Sequence, residues 1–315
     1  ERLKGPVAKG KEVSWEEIDT NIIEELSTAS DPIYLVTNSL SSPSTKKVID
    51  EFKNKYDSLI HVTYDQNSVS GQLDANLAMF GKRVLPSYDY SKAKTIVSLG
   101  CDFLGTGVNS SLTNTQFAKS RKLSASKKEM SRLYSFESIL SLTGANADYR
   151  IPIKSSEQGA YISSLYNIIA EETGGQVMDG LPSVDDKILY KAANDLLYTK
   201  GSSIVVSGSQ DVSIQMFVNA VNVMLDNIGN TINFDRYQNV RLGDDKTFAQ
   251  FVNQLSAAGG VIFYNCNPVY DHPLGSKIAA ALKKINFSVA TADRLDETSS
   301  LVSYLAPDHH YLESW

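Results

Sequence analysis

Cysteine is scarce in this chain. There are two, Cys101 and Cys266, and none lies between Glu1 and Gly100. An iron–sulfur cluster needs about four thiolates, and two cysteines alone do not complete a structural zinc site. Each ends an apolar run and reads as a buried or half-buried small hydrophobe. A disulfide between them stays open, because sequence gives no distance. Histidine is also rare: His61, His272, His309 and His310. The adjacent pair projects to opposite sides of an extended chain and chelates one ion poorly. Long apolar runs are missing, with none near the roughly 18 residues of a membrane span. Excess positive charge is missing too. The net charge is −6 and there is no basic stripe with interleaved aromatics, which argues against nucleic acid as a partner. Dinucleotide, phosphate-loop and nucleophile-elbow glycine motifs are absent. So are a signal peptide and an initiator Met. The chain reads as a piece of a longer protein, so missing targeting signals say nothing about location.

What is present is ordinary globular composition, 42% hydrophobic and 21% charged, over 315 residues, a length for about two domains. Residues 1–13 read as an extended lead-in. Ser14 and Glu17 form a capping box for a helix carrying Trp15, Ile18, Ile22, Ile23 and Leu26. Strands are expected at 32–37, 59–64, 93–100, 132–138, 203–208, 261–264 and 287–291. Helices are expected at 43–56, 71–80, 111–130, 159–172, 185–197, 215–225, 248–255 and 274–284. Alternating strands and helices imply βαβ units and parallel sheets. In such sheets ligands sit at the carboxyl ends of strands, which include Asn265 to Asp271 and Ala292 to Thr298.

Individual features read modestly. Thr37-Asn38-Ser39 precedes a helix and offers N–H groups to a phosphate, but an ordinary polar loop is favoured without a glycine fingerprint. Ser68 and Ser70 read as helix caps. Lys119, Arg121, Lys122, Lys127 and Lys128 read as a solvated helical face rather than a partner patch. Asp244-Asp245 reads as a solvated helix start rather than a metal site.

The last sixty residues carry a resemblance. A strand ending in Asn267-Pro268, then His272-Pro273, a helix, a strand ending at Asp293, Glu297-Thr298, Pro307 and Glu313 resembles the molybdopterin oxidoreductases. The wording Ala306-Pro-Asp-His-His-Tyr-Leu-Glu-Ser-Trp315, with Ser98-Leu-Gly-Cys-Asp-Phe-Leu-Gly105, is closer to one branch. It resembles the large iron–sulfur subunit of alternative complex III, a quinol:electron-acceptor oxidoreductase. The Ser14-Trp-Glu-Glu start and Ala147-Asp-Tyr-Arg-Ile-Pro-Ile153 also resemble the wider family.

This resemblance implies an α/β fold of two doubly wound, Rossmann-like domains with mostly parallel sheets. It implies a discontinuous domain of residues 1–67 and 200–315, with 68–199 inserted as the other. In catalytic members a bis-molybdopterin guanine dinucleotide lies between such domains. The positions implied here are Asn38, Gly105, Ser209, Asn267, His272, Asp293 and Glu297. Two departures point away from that cofactor. Asp102 brings negative charge where a pyrophosphate wants donors, and Phe136-Glu137-Ser138 stands where the family has Asp-Pro-Arg. The cysteine ligand of catalytic members has no counterpart in the first hundred residues either. The resemblance therefore implies a scaffold without bound cofactor, beside 4Fe-4S clusters elsewhere in a longer chain. It would lie among other subunits of a membrane-bound respiratory complex, at the periplasmic face of the bacterial inner membrane. A working molybdenum or tungsten oxidoreductase fragment, and a degenerate crevice for another small nucleotide, remain the alternatives.

Overall fold

The computed structural model of the protein describes residues 2–310 and 312–313. The chain divides into two compact units. One comprises the residues up to Ser68 together with those from Val240 onward; the other is Val69–Asn239.

The first unit opens with a hairpin, β1 (Val7–Ala8) and β2 (Lys11–Glu12). Lys9 and Gly10 turn it with φ of 49° and 80°, as a tight two-residue turn requires. The expected extended lead-in thus forms an antiparallel edge, and it pairs with the last strand. Next come α1 (Trp15–Thr28), β3 (Ile33–Thr37), α2 (Pro43–Lys55) and β4 (Leu59–Thr63). Ser14 caps α1 by accepting the Glu17 N–H at 3.1 Å, and Pro43 starts α2 where no amide partner is needed.

The chain then builds the second unit. It comprises α3 (Ser70–Phe80), β5 (Leu85–Tyr88), β6 (Thr95–Leu99), α4 (Ser110–Arg121), β7 (Arg132–Glu137), α5 (Leu142–Ala145) and β8 (Tyr149–Pro152). It continues through α6 (Gln158–Thr173), α7 (Lys187–Tyr198), β9 (Ser203–Ser207), α8 (Val212–Met224) and β10 (Ile232–Gln238). Returning to the first unit are α9 (Asp245–Gln254), β11 (Gly260–Tyr264), α10 (Pro268–Asp271), α11 (Gly275–Leu282), β12 (Ser288–Ala290) and β13 (Tyr304–Leu305).

The first unit's sheet runs β2-β1-β13-β12-β11-β3-β4, parallel from β13 to β4. Both faces are covered. Tyr34 and Val36 face a core with Phe248, Phe251, Phe263 and Ile278, while Ile33 and Leu35 face Ile18, Ile49, Phe287 and Val289. This two-residue alternation within an all-apolar run is how a parallel strand fills two cores. Each such aromatic or aliphatic side chain contributes roughly 1.5–3 kcal/mol when buried. The second unit has a parallel sheet, β8-β7-β6-β9, and a two-stranded antiparallel ribbon, β10-β5. Its strands also feed two cores: Val97, Leu99 and Val205 on α6, α7 and α8, and Ile96, Leu133 and Ile204 on Phe103 and Phe117.

Three expectations need correction. The second domain boundary falls between Asn239 and Val240, not at 199/200. The reason is pairing: β9 lies parallel to β6 from Thr95↔Ser203 to Leu99↔Ser207, and β10 pairs with β5. Second, α4 ends at Arg121 rather than running to residue 130. Lys122 turns to extended backbone, and the Ser124 hydroxyl accepts the Lys127 N–H at 3.0 Å, a local bond that competes with the helix. Third, neither Ser68 nor Ser70 caps α3, whose N-cap is Val69 without a side-chain bond. Ser68 Oγ donates to Asp245 at 2.8 Å, and Ser70 Oγ accepts from Arg83 at 3.1 Å.

Candidate functional site

In the first unit the strand order reverses between β3 and β11, since the chain winds from β3 to β4 and later from β11 to β12 and β13. Such a switch point leaves a crevice at the carboxyl ends. An open pocket of ≈ 760 Å³ lies there, lined among others by Asn38, Asn265, Cys266, Asn267, Thr291 and Asp293. Asn265 takes φ of 50°, the left-handed turn that ends β11.

The side chains around this pocket are largely engaged with one another. Asn38 Nδ2 donates to the Tyr64 carbonyl at 3.1 Å. Asn267 is a clamp: its Oδ1 accepts from Thr298 N and Oγ1 at 3.1 and 2.6 Å, and its Nδ2 donates to Glu297 at 2.8 Å. His272 packs on Phe248 with centroids 4.3 Å apart, and its Nδ1 accepts the Leu274 N–H at 3.1 Å. Burial lowers its pKa and favours the neutral ring. Asp293 binds Arg294 in two bonds, at 2.9 and 3.2 Å, and Arg2 at 3.4 Å. Asp271 accepts the Tyr64 hydroxyl at 2.8 Å, and burial raises its pKa. The Cys266 thiol donates to the Val36 carbonyl at 3.3 Å, and burial pushes its pKa up. Both cysteines are free thiols.

A further carboxylate sits just beyond β4. Asp65 accepts from Ser39 N and Oγ at 3.1 and 2.7 Å, and from Leu242 N and Gly243 N at 3.0 and 2.9 Å. The Ser39 N–H that a phosphate would use is therefore held by a side chain. The pocket itself carries Asp271, Asp293, Asp296 and Asp308 against Arg294, whose guanidinium is already on Asp293.

The second unit repeats the pattern. Its switch point lies between β6 and β9. Gly208 N donates to Leu99 O at 3.0 Å, and a Cβ on Gly208 would stand 2.3 Å from Gly100 O, so the two strand-end loops touch through backbone. Ser209 is tied into its own turn: its N–H donates to Ser207 Oγ at 3.1 Å, its Oγ accepts from Asp211 N at 3.1 Å, and its carbonyl accepts from Gln215 Nε2 at 2.6 Å. Gly105 lies flush on Asp102, where a Cβ would stand 2.2 Å from Oδ2. Asp102 accepts from Thr143 N and Oγ1 at 3.0 and 2.9 Å and from Thr106 N at 3.0 Å. Burial opposes its ionisation, but these bonds outweigh burial and hold its pKa below the usual range. Glu137, 3% exposed, accepts from Ser141 Oγ at 2.5 Å and Arg150 Nε at 2.6 Å. Its pKa is also held low against burial. No arginine adjoins Glu137 in the sequence; β8 supplies one from thirteen positions downstream, across the parallel β7–β8 pair.

Of the seven implied positions, Asn38, Asn267 and Asp293 line the first unit's pocket. His272 and Glu297 stand at the same sheet edge in internal contacts, and Gly105 and Ser209 belong to the second unit. Asp296 and Asp308 also line the pocket; both lie in segments the resemblance covers, and neither is among the seven implied positions. Tyr311, Ser314 and Trp315 of the C-terminal wording lie outside the described residues. No cluster of three metal-ligating side chains occurs among the described residues.

A guanine dinucleotide presents phosphates, which call for N–H donors and cations. Here the strand-end donors of Ser39, Gly243, Thr106 and Thr143 hold Asp65 and Asp102, and Arg150 holds Glu137. These positions fit internal carboxylates and do not fit a pyrophosphate.

The mixed α/β fold with mostly parallel sheets is shared with solved structures. It is similar to acetylene hydratase from Pelobacter acetylenicus, with a TM-score of 0.75 at 10% identity over 99% of this chain and 55% of that one. The chain thus spans about half the length of that relative. A second similar structure is a chain of the formyltransferase/hydrolase complex from Methylorubrum extorquens, solved in complex with methylofuran. There the TM-score is 0.60 at 12% identity, covering 96% of this chain and 86% of that one. No protein-family model and no curated protein matches the sequence.

Proposed function

We propose that this chain is a molybdopterin oxidoreductase-like domain that works as a scaffold without bound molybdopterin. The reading places it in a quinol-oxidising iron–sulfur subunit of a respiratory complex, resembling the large iron–sulfur subunit of alternative complex III. One observation carries the cofactor-free part. Asp65, Asp102 and Glu137 occupy donors at strand ends where phosphates would need them. The respiratory assignment is supported by the sequence wording at 98–105 and 306–315. Under this reading the 4Fe-4S clusters lie elsewhere in a longer chain, the partners are other subunits of a membrane-bound complex, and the location is the periplasmic face of the inner membrane. The domain's own task is then to present surfaces, not to move electrons. A working bis-molybdopterin guanine dinucleotide enzyme is the alternative, favoured by the open pocket at the first unit's switch point.

Metal and pterin analysis of the protein isolated from its organism of origin separates the two. The scaffold reading expects iron without molybdenum, tungsten or pterin. Stoichiometric molybdenum or tungsten with pterin would overturn it. Equilibrium dialysis of the chain against guanine nucleotides is expected to show no uptake; uptake would turn the pocket into a nucleotide site.

A further inference from the structure

The edge of the second unit's four-stranded sheet where its strands begin gathers lysines that have no acidic partner among the described residues. Lys94 precedes β6, Lys119 lies in the last turn of α4, and Lys122, Lys127 and Lys128 lie in the loop from α4 to β7. Hydrogen bonds tie these segments together. Arg132 N donates to Lys94 O at 2.8 Å, Ser131 N donates to Ser120 O at 3.1 Å, and Lys127 Nζ donates to Lys119 O at 3.0 Å. The arginines of the region are consumed: Arg121 pairs with Asp148 at 2.7 Å and Arg132 with Asp195 at 2.5 Å. Among the described residues none of the five lysines has an ion pair, and Glu129 is the one acid between residues 119 and 132.

Part of this charge is structural. Lys119 sits at the negative end of the α4 dipole, and Lys127 caps α4 carbonyls. Lys94 and Lys128 are exposed with no such role, and Lys122, at the C-cap of α4, is exposed as well. The loop around them also shows Leu123 and Met130 to solvent, 52% and 51% exposed. Because α4 ends at Arg121, Lys122 to Lys128 do not form a solvated helical face.

We propose that this loop is a docking surface for an anionic lipid surface. Protein–protein contacts favour arginine and are depleted in lysine, whereas here every cation left unpaired is a lysine. Lysine on a flexible stem suits a field of anionic headgroups. Exposed Leu123 and Met130 between the lysines supply the apolar contact that interfacial segments add to charge. The proposal does not depend on the function proposed above.

The test is co-sedimentation of the chain with vesicles of equal parts phosphatidylglycerol and phosphatidylcholine, beside vesicles of phosphatidylcholine alone. Binding is expected to the anionic vesicles, weakening at high ionic strength. The triple variant Lys94→Ser/Lys122→Ser/Lys128→Ser is expected to bind roughly a hundredfold more weakly, about fivefold per lysine. The double variant Leu123→Ser/Met130→Ser is expected to lose about tenfold. Unchanged thermal midpoints confirm that both variants fold. Absent or equal binding to the two vesicle types overturns the proposal, as does binding indifferent to the triple variant. If the lysine variant loses binding and the apolar variant keeps it, the loop reads charge alone. An acidic protein surface is then the better occupant, and the lipid proposal fails.

Discussion

Replacing Asp102 by alanine removes an acceptor on which Thr143 N, Thr143 Oγ1 and Thr106 N converge at 3.0, 2.9 and 3.0 Å. Thr143 is fully buried, while Thr106 is exposed and can turn to water. The cost therefore rests on the two Thr143 donors, at about 1–3 kcal/mol each when left unsatisfied. The vacated space admits water, so the low end applies, about 2–3 kcal/mol in all. For a unit of this size that lowers Tm by about 4–12 °C. Asp102→Asn keeps one acceptor oxygen and should lose about half as much. If the carboxylate stands in for a bound anion, sulfate should stabilise Asp102→Ala and leave the native protein unmoved. At ten times its Kd, sulfate would restore about 1.4 kcal/mol. Differential scanning fluorimetry with and without sulfate measures both effects. A variant as stable as the native protein would refute the donor accounting. Equal sulfate stabilisation of both proteins would refute the stand-in role.

Glu137→Gln breaks the contact with Arg150 and weakens that with Ser141. Arg150 is 29% exposed, so the loss is below the full buried-pair value, about 2–3 kcal/mol by urea denaturation. Gly208→Ala pushes a methyl against the Gly100 carbonyl, backbone on backbone, and should destabilise the second unit by about 2 kcal/mol or more; an unchanged urea midpoint would count against the touching loops. Asp102 and Glu137 both have folded pKa values below their unfolded ones. Their stabilisation is fully present above the ordinary carboxylate range near pH 4, and is lost as pH falls through the lower folded values. Acid unfolding followed by circular dichroism should begin below about pH 4.5 and move to higher pH for Glu137→Gln. Asn267→Ala releases Glu297 and the buried Thr298, so hydrogen exchange should rise at residues 297–299 before the sheet opens.

Much of the fold was legible in the residues. Short β-branched runs such as Ile33–Val36 and Val261–Tyr264 bury on both faces, and only central parallel strands do that. Alternation with amphipathic helices then dictated βαβ winding, and winding dictated that ligand chemistry belongs at Asn265 to Asp271 and Ala292 to Thr298. The pocket does draw residues from both segments. What the residues did not reveal depends on contacts distant in sequence. Whether 200–239 joined the first or the second unit turned on β9 choosing β6 and β10 choosing β5, and neither choice is written in local periodicity. The end of α4 at Arg121 turned on serine hydroxyls and on the lack of a core for Leu123 to enter. The carboxylates show the division most clearly. Their residue types at 65, 102 and 137 are plain in the sequence, as is the mismatch of the last two with a phosphate. Which donors each one holds was decided only when β8 brought Arg150 beside Glu137, the α5 turn brought Thr143 onto Asp102, and the returning chain laid Leu242 and Gly243 on Asp65. A hydrogen bond requires both partners within about 3 Å, and only tertiary structure brings such distant residues that close.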